Sequence, residues 1–105
     1  MADRPLTSAG MGARRRLERV ASQLMEAREE LAAAEAQLAF FADEADDWRV
    51  RGLVSDNALD RRTADETVRT ADNARRHRDR VAAEVARLRA EVDDLLSDPT
   101  EKGPS

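Results

Sequence analysis

The side chains able to do chemistry fall into a few clusters along an otherwise repetitive chain. Asp43, Glu44, Asp46 and Asp47 place pairs of carboxylates three or four residues apart. On a helix that spacing puts two carboxylates on one face, which is half of a bundle metal site; the other half is a Glu-x-x-His on a facing helix. The only histidine is His77, and the residue three before it is Ala74, so that half is missing. A solvated acidic face answered by arginine is the expected role.

Arg75, Arg76, His77 and Arg78 form a second cluster. Guanidinium groups make charge-assisted, often bidentate hydrogen bonds to phosphate, so these four are the candidate site for an anionic nucleotide. The simpler reading joins His77 and Arg78 with Asn73 as a polar layer that fixes register, as a buried Asn does in coiled coils. Arg14, Arg15 and Arg16 make a small basic patch. Nucleic-acid binders present a broad basic face, often with aromatics for stacking, and the chain has one Trp, so pairing with acidic residues is the expected use. There is no cysteine, which excludes disulfides, thiolate metal sites and Cys nucleophiles together. An active site also needs a concave pocket, and two packed helices are not expected to enclose one. The sequence therefore predicts no catalytic residue, no cofactor and no metal, and a protein that is not an enzyme.

The elements that carry these residues follow from composition and period. Charged residues make up 38% of the chain and aromatics 3%, with Ala, Leu, Glu and Arg dominant; that is the profile of a long helix or coiled coil. Basic and acidic residues number 18 and 22, so a net charge of −4 gives no strong pull toward a polyanion. No run approaches the roughly 18 apolar residues of a membrane span, and the N-terminus has no apolar leader core, which points to the cytoplasm. Every basic residue except Lys102 is arginine, a bias that suggests a high-GC bacterial genome.

Residues 1–12 and 97–105, rich in Gly, Pro and small polar residues, are expected to be disordered tails. Between them leucines recur every seven residues at Leu17, Leu24, Leu31 and Leu38, continued by Ala45, each followed three residues later by Val20, Ala27, Ala34, Phe41 and Trp48. These are the a and d positions of a coiled-coil seam, and nothing breaks the helix over 13–51. Gly52 stands where a left-handed residue would end it. Ser55 reads as the N-cap of a second helix over 56–96, with Val54 and Leu59 as a hydrophobic staple. A connection of residues 52–55 makes the helices antiparallel neighbours. The seam of the second helix is clear at Val81, Val85, Leu88, Val92 and Leu95 and weaker before that, at Leu59, Thr63, Ala64, Thr67, Ala71 and Ala74, which are mostly small.

If the turn centres near residue 54, facing residues have numbers summing to about 108. Asp46 and Asp47 then meet Arg62 and Arg61, Glu29, Glu30 and Glu35 meet the arginines of 75–80, and Arg14–Arg16 meet Glu91, Asp93 and Asp94. Leu38, Phe41 and Trp48 fall across from Thr70, Thr67, Ala64 and Thr63, large against small. The expected fold is all-α: two long helices in an antiparallel coiled-coil hairpin. A single hairpin has a marginal core, so further burial is expected, by homodimerisation to a four-helix bundle or by docking on a protein partner. Met25, Phe40, Val50 and Leu53, which lie off the seam, and Trp48, if exposed at the tip, are the candidate partner-binding residues.

Residues 13–96 resemble small helical-hairpin proteins of high-GC Gram-positive bacteria. One such class, anti-sigma hairpins that bind cyclic di-GMP, uses a Glu-x3-Ser-x2-Arg-x3-Gln-x3-Asp helix motif. Glu18 and Ser22 start it here, but Met25, Glu29 and Ala33 depart from it, so no ligand residue carries over. The resulting expectation is a scaffold, adaptor or regulator that acts by protein–protein contact, with the nucleotide-binding hairpin as the alternative.

Overall fold

The computed structural model of the protein describes residues 8–97, with side chains from Gly10 onward. Helix α1 spans Ser8–Val54 and helix α2 spans Ala58–Leu96, with no strand among the described residues. The fold is an all-α helical hairpin. Residues 8–12, expected in a tail, belong to α1, while 1–7 and 98–105 lie outside the described residues. The chain divides into two packed units, each made of a piece of both helices: Glu29–Ala82, which holds the turn, and the residues up to Arg28 with those from Ala83 onward.

In the turn unit the helix boundary differs from the expectation. Gly52 does not end α1; it lies inside its last turn, and the connection is Ser55-Asp56-Asn57. A Cβ placed on Gly52 would lie 3.2 Å from Ala64 Cβ and 3.9 Å from Arg61 Cα. The glycine therefore serves close approach of the two helices, not a left-handed cap. Asn57, not Ser55, is the N-cap: its Oδ1 accepts the Leu59 N–H at 2.8 Å. Ser55 Oγ accepts the Asn57 N–H at 2.9 Å and donates to Asp60 Oδ2 at 2.9 Å, which anchors the loop to the first turn of α2. Asp60 there and Arg51 in the last turn of α1 both have the sign that suits the helix dipoles. The staple does not form, since Val54 and Leu59 are both exposed.

With the loop centred on Asp56, facing residues have numbers summing to about 112. Two buried stripes then come into line. On α1 the turn unit buries Ala34 and Ala45 and half-buries Leu31, Leu38, Phe41 and Trp48. On α2 it buries Ala64, Ala71, Ala74 and Val81, with Thr67 and Arg78 half-buried in the same heptad series. In this register Trp48 faces Ala64, Phe41 faces Ala71, Leu38 faces Ala74, and Ala34 leaves room for the stem of Arg78. Large against small thus survives, but the small partners are alanines; Thr70 is exposed. Thr67 satisfies its hydroxyl on the Ala64 carbonyl at 2.8 Å. Replacing Gly52 by valine is expected to destabilise the hairpin by about 1–3 kcal/mol, because a branched side chain meets the Ala64 methyl group where only hydrogen now fits. A fall in urea midpoint, beside a much smaller one for Ala33→Val, which carries only the helix-propensity cost of valine at an exposed position, checks it.

The second unit packs Val20, Leu24 and Ala27, with half-buried Leu17, against Val85 and Leu88, with half-buried Val92 and Leu95. Every expected seam position of α1 is thus buried or half-buried. The ion pairs follow the expectation less closely. Arg16 reaches Glu91 across the helices at 3.0 Å. The other ion pairs among the described residues lie within one helix: Arg49 with Asp46, Arg75 with Asp72, Arg78 with Asp79, and Arg87 with Glu84 and Glu91. Residues three or four apart on a helix are near neighbours, and short Asp side chains meet them more easily than they span the seam. Expected partners such as Asp47 with Arg61 and Glu35 with Arg75 or Arg76 are not joined.

Hydrogen bonding from Arg87 holds the Glu84 carboxyl below its ordinary value. A depressed folded-state value means that the pair stabilises the fold above the unfolded-chain value and loses that effect as pH falls through the lowered one. Both groups are solvent-exposed, so the contribution is small. Thermal midpoints of the wild type and Glu84→Gln should differ slightly at neutral pH and converge below the carboxylate range.

Candidate partner-binding surface at the hairpin tip

Beside the turn, the two helices form an open groove of about 310 Å³ lined by Arg49, Gly52, Leu53, Arg61, Ala64, Asp65 and Val68. Its shape follows from residue size. Gly52 and Ala64 supply a floor with almost no side chain, which draws the helices together and leaves the longer residues as walls. Arg49 and Leu53 stand one turn apart on α1; Arg61, Asp65 and Val68 follow each other at intervals of four and three on α2, so each set shares a face.

The walls are apolar in the middle and charged at the edges. Leu53 is 81% exposed and Val54 79%, the two most exposed large apolar residues described, and Val50 and Leu59 also lie open to solvent. Four large apolar side chains are thus exposed within ten residues about the turn, and of them Leu53 lines the groove. Among the charges, Arg49 is held by Asp46 at 2.8 Å. Arg61 donates to the Ser55 carbonyl at 3.3 Å and has no carboxylate partner among the described residues. Asp65, one turn further along, makes no ion pair among the described residues.

The candidate residues read from the sequence do not form one site. Val50 and Leu53 lie at the tip. Phe40 is exposed farther down α1, its ring set edge-on to Phe41 with centroids 5.5 Å apart. Trp48 is half-buried in the seam, and the Arg51 guanidinium lies 4.8 Å from its ring centroid. That cation–π cover makes Trp48 part of the packing rather than an open anchor. Met25 is exposed but belongs to the other unit. Sequence reasoning missed Val54, Leu59, Val68, Arg61 and Asp65 as surface residues of the tip. It assigned Val54 and Leu59 to the staple, and Val68 becomes conspicuous only once Ala64 and Ala71 mark which face of α2 is buried.

Arg75, Arg76, His77 and Arg78 do not converge. Consecutive helical residues project about 100° apart, so four in a row surround the helix instead of clasping one ligand. Arg75 bonds Asp72, Arg76 bonds Asn73, and Arg78 bonds Asp79. His77 and Arg78 are half-buried and Asn73 is exposed. The acidic residues Asp43, Glu44, Asp46 and Asp47 are all exposed. Among the described residues no three His, Cys, Asp or Glu side chains are grouped to hold a metal ion, and no helix is long and apolar enough to cross a membrane. No family model, curated protein or solved structure matches the chain.

Proposed function

We propose that the protein is a non-enzymatic coiled-coil interaction module, a scaffold, adaptor or regulator that works by protein–protein contact through the tip of its hairpin. The observation that carries this is the exposure of Val50, Leu53 and Val54 at the end of α1 and of Leu59 at the start of α2, with Leu53 lining the groove at the turn. Burying a side chain of this size in a contact is worth about 1.5–3 kcal/mol, so even two of them seated in a partner make a usable anchor. The helical seam contributes rigidity: the tip is presented on two packed helices, which reduces the ordering cost of binding.

A photo-crosslinking residue at position 53, expressed in the source cells, tests the idea against the same residue at position 86, which is exposed in the other unit. Adducts from 53 and not from 86 are expected. Equal or absent labelling at both positions would remove the tip as a contact surface.

A further inference from the structure

The occupant of the tip groove can be read from its charges. Arg61 and Asp65 stand four residues apart on one face of α2, yet they do not pair with each other. Arg61 turns back to the Ser55 carbonyl and Asp65 has no ion partner among the described residues. The groove therefore offers an unanswered cation and an unanswered anion side by side. A foreign partner would have to bring a matching anion and cation at the same spacing. A second copy of the chain brings them by symmetry.

We propose that the tip groove is a self-association surface, in which two copies dock across a two-fold axis with Arg61 of each against Asp65 of the other and Leu53 of each against Val68 of the other. This rests on the contact role of the tip proposed above and names the occupant. In a two-fold interface, if residue i meets j then j meets i, so one operation satisfies both charges twice. An antiparallel crossing of the two α2 segments centred at Thr63 places 61 against 65. The apolar residues fit the same axis. Leu53 and Val68 both line the groove that the two-fold closes, one on each helix. Leu53 is the most exposed large apolar residue described, and Val68 lies exposed at the groove wall. Arg49 lies near the level of the axis, where two like charges would approach, but each is already neutralised by its own Asp46.

Sedimentation velocity on the full chain over a wide concentration range, with the charge-swap set Arg61→Asp, Asp65→Arg and the double swap, decides it. All these positions are exposed, so circular dichroism should report unchanged helicity. The wild type is expected to dimerise, each single swap to weaken the dimer at least ten-fold by setting like charges together, and the double swap to restore it. Leu53→Ser, at a solvent-exposed position, should also weaken the dimer while keeping the fold. A chain that stays monomeric at every concentration, or a double swap no stronger than the singles, overturns the second-copy assignment. If position 53 crosslinks a different protein while the chain is monomeric, the occupant is wrong and the contact role of the tip stands; if it crosslinks nothing, both are wrong.

Discussion

Leu88→Ala should lower the unfolding free energy by about 3 kcal/mol, the largest loss expected from any single truncation in this chain. Leu88 is the most buried residue described, at 2% exposure, and in the register set by the turn it falls opposite Leu24. Leucine-to-alanine changes in cores cost about 2–5 kcal/mol, from lost transfer energy and the cavity left behind. A two-helix seam can close partly around the gap, which keeps the cost below the top of that range. Against a typical total stability of about 5–15 kcal/mol, such a loss moves the unfolding midpoint far enough to see directly. Urea unfolding followed by circular dichroism should show a lower midpoint with an unchanged slope. Leu96→Ala, at a position 57% exposed, is the control and should shift stability by less than about 0.5 kcal/mol.

Ala71→Leu should destabilise by about 2 kcal/mol for the opposite reason. Ala71 is 4% exposed and, in the register set by the turn, falls opposite the half-buried Phe41, so a larger side chain forces the helices apart or drives both residues off their rotamers. The change also tests register. With facing numbers summing to about 112, Phe41→Ala vacates the space that the introduced leucine needs, and the double variant should lose at least about 1 kcal/mol less than the sum of the singles. In the register that sums to about 108, Ala71 would face Gln37 and Phe41 would face Thr67, so the two changes would simply add. Trp48 lies in the same unit and gives a fluorescence readout of the splaying.

The helical part of the fold was legible because heptad periodicity is local. Leu17 to Ala45 and Val20 to Trp48 repeat at the spacing of one helix face, and no partner needs to be known to see it. The weak half of α2 was harder, since alanines and threonines give little contrast between faces. Only the alignment of Ala64, Ala71, Arg78, Val85 and Val92 with the opposite stripe shows that the same heptad runs through it. In the candidate site, Val50 and Leu53 were visible as apolar residues off the seam. Arg61, Asp65 and Val68 were not, because their significance depends on standing beside Gly52 and Leu53 from the other helix.

The amino-acid sequence by itself determined that this chain makes two long helices, which residues form the seam of the first, and that they turn back on each other close to residues 52–55. Each follows from side-chain type and short-range spacing. The tertiary structure alone decided where α1 stops, which residue caps α2, and how the charges pair. Gly52 illustrates the difference. A glycine near a helix end has two uses, a left-handed cap or a close approach, and the sequence around it fits both. The position of Ala64, 3.2 Å from where a Cβ would stand, selects the second; with it α1 runs on to Val54 and the centre of the turn moves from residue 54 to residue 56. The groove and its exposed rim at the tip are consequences of that contact, since the two small residues that bring the helices together are the ones that leave its floor bare.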